Sequence, residues 1–294
     1  MTTKSTGSAL RALLATGELV VAPGVFDGIS AQLAARTGQR AAYLTGAGVA
    51  ASGFGLPDIG LVTQTEMIER ARMIVEAADG LPVIADADTG YGGPLNVIRT
   101  VRGYEAAGVA AIQLEDQAFP KKCGHLPDKE LVSADHFLVS LKAALATRRD
   151  DDLVIIARTD ARGPLGLDAA IERANLYAEA GADVVFVEAP EGVDEIERIA
   201  AEVEAPLLIN LVLGGLTPME SAARLQELGY AIAIQPSLAL AAATWGILSS
   251  MCQLTGRDPQ ELAPSKPSEF FDLVGLAEWS ELGEKFSLGE PTWA

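Results

Sequence analysis

A short apolar run followed by an amphipathic, alanine-rich segment recurs along the whole chain, and this alternation restricts the fold more than any other feature. The strand-like runs are LVVAPG from Leu19, AAYLTG from Ala41, PVIADAD from Pro82, VAAIQLED from Val109, LVIIARTD from Leu153, ADVVFVEA from Ala182, APLLIN from Ala205 and YAIAIQP from Tyr230. Between them lie helix-period segments such as TQTEMIERARMIVEAAD and LDAAIERANLYAEAG, several closed by glycine, as at Gly108, Gly181 and Gly229. Strands alternating with helices imply a parallel sheet. Eight such units match a (β/α)₈ barrel of class α/β better than an open doubly wound sheet, and the first turn, PGVFDG, has no GxGxxG. The barrel is expected over residues 1–257. From Asp258 to Ala294 the pattern breaks into a Pro-punctuated helical tail with Phe270, Phe271 and Trp279, expected to pack on the barrel or on a neighbouring subunit.

The length, 294 residues, allows one such barrel or two ordinary domains. A net charge of −18 argues against nucleic acid or an anionic membrane surface, because phosphate is bound by clustered Lys and Arg, so the partner is expected to be small or metallic. Cys123 and Cys252 lie far apart and make no disulfide framework, and the first residues lack the apolar core of a signal peptide, so the chain reads as cytoplasmic. No uncharged apolar run is long enough to span a bilayer. The best candidate, IAIQPSLALAAATWGILSS, contains Pro236 and reads as buried barrel wall.

In a barrel the catalytic groups come from the carboxyl ends of several strands. Here the second run ends in Tyr43, Thr45 and Gly46, the third in Asp86 and Asp88, the fourth in Glu115 and Asp116, the fifth in Arg158 and Asp160, the sixth in Glu188 and the seventh in Asn210; Asp58 follows in the loop GFGLPDIG. Any one of these acids has a bland explanation, since a carboxylate is stabilised at a helix N-terminus. As a set, Asp86, Asp88, Glu115 and Asp58 make an oxygen-rich cluster suited to Mg²⁺, which takes one or two carboxylates directly and keeps several waters; Mn²⁺ also suits it.

The stretch FPKKCGH, residues 119–125, gathers one of two cysteines and one of two histidines beside Lys121 and Lys122. A zinc site is set aside for want of paired Cys or His ligands. The flanking lysines and glycine point to an exposed, mobile catalytic loop after the fourth strand. Its cations would favour thiolate at Cys123, Gly124 would give flexibility, and His125 would donate to an anion or relay a proton.

The segments YLTGAGVAASGFGLPDIG, DADTGYG, QLEDQAFPKKCGHL, IIARTDA, GLDAAIERANLYAEAGAD and VEAP resemble the isocitrate lyase and phosphoenolpyruvate mutase superfamily. The likeness is greatest to its short members: 2-methylisocitrate lyase, dimethylmalate lyase and carboxyphosphonoenolpyruvate phosphonomutase. KKCGH is the signature of the carbon–carbon lyase branch. The resemblance implies that Asp86 and Asp88 hold Mg²⁺, with Asp58 and Glu115 supporting its waters. It implies further that Thr45, Gly46 and Ala47 bind the carboxylate of the 2-oxo acid half, with Tyr43 beside it. Arg158 would hold substrate oxygens, while Glu188 and Asn210 would contact the other half. The implied reaction cleaves a dicarboxylate or tricarboxylate 2-hydroxy acid to a 2-oxo acid and a carboxylic acid. Lys121, His125 and Arg158 would stabilise the carbanion, and Cys123 would deliver its proton, with Gly124 beside it. The implied assembly is a homotetramer in which paired subunits exchange the eighth helix. A phosphonomutase is the alternative, and a catalytically inactive barrel with a binding role a third reading.

One segment departs from the family pattern. Where the lyases commonly carry glutamate after the asparagine, this chain reads NLVLGG, with Val212 and Leu213. An unpartnered carboxylate buried there would cost several kcal/mol, whereas a methyl group gains about 0.8 kcal/mol. Alkylated malates are therefore expected to be better substrates than isocitrate or methylisocitrate.

Overall fold

The computed structural model describes residues 5–126 and 128–286. Its eight strands are β1 (Val20–Val25), β2 (Ala42–Leu44), β3 (Val83–Asp86), β4 (Ala111–Glu115), β5 (Val154–Thr159), β6 (Val184–Val187), β7 (Leu207–Asn210) and β8 (Tyr230–Gln235). All pair in parallel and in chain order, and β8 returns to β1, so the sheet is closed. Every strand coincides with one of the apolar runs. Gly108, Gly181 and Gly229 lie at helix ends with φ of 87°, 104° and 86°, where only glycine is unstrained.

Strand side chains alternate between the barrel interior and the surrounding helices. Val20, Ala22, Tyr43, Ile84, Ala111, Val154, Ile156, Val184, Phe186, Leu208 and Ile232 form the interior core. Their neighbours, such as Leu44, Val83, Ala85, Ile112 and Ile155, pack outward against the helices. This register carries on to the rim. Two residues beyond Ile84, Ile156, Phe186 and Leu208, the inward positions are Asp86, Arg158, Glu188 and Asn210. Beneath the barrel, the helix Thr6–Leu14 closes the amino end through the fully buried Leu10, and Asp183 there accepts from Arg11 at 2.8 Å and Arg148 at 2.6 Å.

The stretch expected to be buried barrel wall divides in two. Its first part is β8, which is largely buried, but its second belongs to the 18-residue helix Leu238–Thr255, where only Leu240 and Cys252 are buried. This helix is long and apolar enough, by length and composition, to cross a membrane, contrary to the reading of the sequence. In the fold it is the eighth barrel helix, and Leu238, Trp245, Ile247, Met251 and Leu254 stand exposed along it. The tail continues through short helices at Pro267–Asp272 and Leu276–Phe286; residues 287–294 lie outside the described residues.

Closure of the barrel leaves no room at Gly24, where a Cβ atom would fall 2.0 Å from the carbonyl oxygen of Pro236. Because that obstacle is backbone, Gly24→Ala is expected to destabilise the protein by about 3 kcal/mol or more, measured by urea denaturation.

Candidate active site

The inward positions of the rim converge on a cavity of 210 Å³ at the carboxyl end of the barrel. Its floor holds Tyr43, Asp86, Arg158 and Glu188, and its outer walls include Trp245, Phe270 and Phe271.

Arg158 meets several rim groups at once. Its Nε and Nη2 donate to the two oxygens of Asp160, both at 2.9 Å, its Nη1 lies 3.1 Å from Glu115 Oε2, and its guanidinium sits over the Phe186 ring at 5.3 Å. Such a planar fork suits bidentate carboxylate pairing. Asp160 is itself aimed from outside the barrel. Asp116, out of phase with the inward register, accepts from the Asp160 amide at 2.9 Å and from Thr159, Arg173 and Tyr177, each at 2.8 Å.

On the opposite side, Asp86 accepts from the amides of Gly46 at 3.3 Å and Asp88 at 3.1 Å. Thr45 caps the short helix Gly46–Val49, its hydroxyl accepting from Gly48 at 3.1 Å, and Ala47 lines the cavity from that helix. Asp88 is held at φ 48°, a conformation rare outside glycine and frequent at functional sites. Burial pushes the Asp88 carboxyl up to about 6, against the pull of Lys121 and with the help of Asp86 and Asp58. Burial likewise raises Glu115 well above the usual range, and its Oε1 has no hydrogen-bond partner. Desolvation is the first cause of both shifts, and the all-oxygen donor set suits a hard divalent cation. The four acids do not form a closed cage, however. Among the described residues no three His, Cys, Asp or Glu side chains converge as a ligand group, and the Lys121 ammonium pairs with both Asp58 and Asp88, lying 2.8 Å from the latter. The donors therefore fit an ion that takes one or two carboxylates and retains water.

The FPKKCGH loop departs from expectation in two ways. It is exposed only at Phe119 and Pro120: Lys121 and Gly124 are buried, the His125 side chain is 2 % exposed, and this part of the loop lies across the barrel mouth. Nor do its cations favour the thiolate. Burial, then Asp58, pushes the Cys123 thiol up to about 12, against the His125 amide and Lys121 and with a smaller push from Glu188. The lysines fail because Lys121 is already committed to Asp58 and Asp88, and Lys122 turns away to the carbonyl of Asp128. A Cβ atom on Gly124 would stand 2.5 Å from Arg158 Nη2 and 2.6 Å from Glu188 Oε1, so only glycine lets the loop settle on that pair.

His125 is clamped at both nitrogens. Its Nδ1 accepts from the Leu216 amide at 3.0 Å, which puts the ring proton on Nε2, 3.1 Å from Glu188 Oε1. Asn210 donates to the same carboxylate at 3.1 Å. Burial alone would raise Glu188, but Arg158, then His125 and Lys129, outweigh it and hold the carboxyl at about 2. Tyr43 donates to Gln113 at 2.9 Å, and burial raises it well above the usual phenol range. Val212 is buried, whereas Leu213, expected beside it, stands at the cavity's outer rim and is 76 % exposed.

Sequence reasoning missed Gln113, Asp160 as the partner of Arg158, and Lys129. Gln113 was within reach, since it lies two residues before Glu115 on the inward register of β4. Lys129 carried no signal, because its place depends on how the loop folds back.

Residues 10–253 match the family described as phosphoenolpyruvate phosphomutase. The chain belongs to the phosphoenolpyruvate mutase/isocitrate lyase superfamily. It is 47 % identical over 288 residues to 2,3-dimethylmalate lyase of Eubacterium barkeri, covering 97 % of this chain and 99 % of that one. It is 42 % identical to 2-methylisocitrate lyase of Aeropyrum pernix, covering 94 % and 89 %. Among solved structures, a 2,3-dimethylmalate lyase superposes with a TM-score of 0.83 at 38 % identity, covering 96 % of each chain. A phosphonopyruvate hydrolase solved with oxalate and Mg²⁺ superposes with a TM-score of 0.75 at 30 % identity, covering 96 % and 99 %.

A thiol raised this far stays protonated at neutral pH. Iodoacetamide is expected to alkylate Cys123 at pH 8 at least about a hundredfold more slowly than free cysteine, with the label located by mass spectrometry.

Proposed function

We propose that this protein is a divalent-metal-dependent carbon–carbon lyase that cleaves an alkylated malate, of the 2,3-dimethylmalate kind, to a 2-oxo acid and a carboxylic acid. The observation that carries this reading is the closed KKCGH loop, which lays Cys123, Gly124 and His125 over Arg158, Glu188 and Asn210 at the end of the acid-lined cavity. The near full-length likeness to 2,3-dimethylmalate lyase supports it.

Asp86 and Asp88, with Asp58 and Glu115 on its waters, would hold a magnesium ion, or manganese, which when bound supplies Lewis-acid polarisation of the substrate's oxygens. The chain's own groups account for the rest. The Ala47 amide and the Thr45 hydroxyl would hold the carboxylate of the 2-oxo acid half, with Gly46 behind them holding its amide on Asp86 and the Tyr43 phenol beside it as a hydrogen-bond donor. Arg158 neutralises the substrate oxygens on which charge develops. As the hydroxyl proton passes to a carboxylate of the acid cluster and the bond between C2 and C3 breaks, the electron pair remains on the carbon bearing the departing carboxylate. His125 sits on the loop facing that side, whereas Lys121 lies across the cavity between Asp58 and Asp88, and Glu188 and Asn210 contact the departing half. Cys123 delivers its proton to the carbanion. A thiol protonated at rest suits this donor role, and the proton gained by carbon balances the one lost from the hydroxyl. The loop and the buried walls keep water from quenching the carbanion first.

The selectivity rests on Val212, whose apolar side chain occupies the inner wall where a third carboxylate would need a partner. Leu213 at the rim contributes less. The apolar helix Leu238–Thr255 supports exchange between subunits of a cytoplasmic homotetramer, with the segment after residue 257 as a helical tail on the barrel or its neighbour.

Pyruvate release from 2,3-dimethylmalate, followed by coupled lactate dehydrogenase, tests the reading. EDTA is expected to abolish turnover and Mg²⁺ to restore it; full activity in EDTA would remove the metal. The ratio of kcat/KM for 2,3-dimethylmalate over 2-methylisocitrate is expected to be roughly tenfold or more. Preference for the tricarboxylic acid would overturn the role of Val212. Cys123→Ser is expected to lower kcat by about a thousandfold while leaving metal binding and the unfolding midpoint intact.

A further inference from the structure

Lys129 stands on the returning limb of the KKCGH loop, where an exposed lysine would be ordinary, yet its side chain is only 5 % exposed. Its ammonium donates to the carbonyl oxygen of Gly124 and lies 3.4 Å from Asp160 Oδ1. That same carboxylate oxygen accepts from Arg158 Nη2 at 2.9 Å. Gly124 meanwhile rests against Arg158 and Glu188 too closely for any side chain. The loop tip, the guanidinium and the Lys129 ammonium thus share one carboxylate and one carbonyl.

We infer that Lys129 is a positioning residue that latches the Cys123 loop shut and couples its closure to the Arg158 guanidinium through Asp160. Burying an ammonium is costly unless it is paired and hydrogen-bonded, and Lys129 has both kinds of partner only while the loop is down. Lifting the tip strips the ammonium of the Gly124 carbonyl. Asp160 cannot follow, because Asp116 and Arg158 hold it from the barrel side. The outgoing limb has its own anchors: Lys121 on Asp58 and Asp88, the Cys123 amide on the Asp58 carbonyl at 3.1 Å, and the Gln117 side chain bonding the Lys122 backbone at 2.8 and 2.9 Å. The base of the loop is closed by the bridge between Gln117 and Leu131. Cys123 is therefore held between two lysine anchors, and Lys129 is the one that reports on the substrate-binding arginine.

The inference deepens the proposed lyase reading, which treats Cys123 as the proton donor, but its first test needs no substrate. Iodoacetamide alkylation of Cys123, located by mass spectrometry, is compared in the wild type and in Lys129→Met, with urea denaturation run alongside. Loss of a hydrogen-bonded charge is expected to speed alkylation by about tenfold or more under conditions where the urea curve shows the variant still folded, its midpoint lowered by the loss of a buried partner. With 2,3-dimethylmalate, kcat is expected to fall by about tenfold while KM changes less, since Lys129 does not touch the substrate. Should Lys129→Met fail to fold, Lys129→Gln, too short to serve both partners, is read in the same way. Unchanged alkylation in a folded variant overturns the latch whether or not the lyase reading stands. Faster alkylation without measurable turnover in the wild type keeps the latch and overturns the lyase reading instead.

Discussion

The guanidinium of Arg158 joins three strand ends and the loop that covers them. It forks onto Asp160, pairs with Glu115 and approaches Glu188 within 3.9 Å, while Gly124 rests directly against it. A buried arginine is tolerable only with partners, and buried carboxylates only with a cation, so each half makes the other possible. Removing one partner of such a set leaves an uncompensated charge and typically costs about 3–5 kcal/mol. The geometry of the cavity, the acidity of Glu188 and the seat of the loop all depend on this group.

Burial also sets the chemistry of the cysteine. Two lysines in sequence beside a thiol suggest a thiolate, but sequence neighbours need not be spatial neighbours of the sulfur. Lys121 is drawn into the acid cluster and Lys122 faces away, leaving desolvation to dominate. The result is an acid held ready rather than a nucleophile. That distinction suits a reaction that ends by protonating carbon.

The acid cluster on the other side is buried, and Lys121 and Arg158 offset only part of the desolvation of Asp88 and Glu115. Asp88 and Glu115 are raised, and one oxygen of Glu115 has no partner. Structural acids at helix N-termini would be satisfied by backbone amides, so the unpartnered Glu115 oxygen separates this rim from the bland alternative considered for any single aspartate. The apolar side chains exposed along Leu238–Thr255 belong to a different problem, that of a helix with too little of its surface covered by its own barrel.

The sequence by itself determined the barrel and the roll of rim residues. Eight apolar runs separated by amphipathic helices leave one economical closed solution, and a period of two carries Ile84, Ile156, Phe186 and Leu208 inward and so delivers Asp86, Arg158, Glu188 and Asn210 to the cavity. These facts are local and repeat along the chain. Only the tertiary structure decided which charges meet. That Lys121 lies between Asp58 and Asp88, that Lys129 folds back onto Gly124 and Asp160, that Asp116 points outward to Arg173 and Tyr177, and that Leu213 lies at the rim while Val212 is buried depend on how loops cross the barrel mouth. Loop paths have no periodicity to read, and the sign of a pKa shift depends on burial and distance, quantities that exist only once the chain has closed on itself.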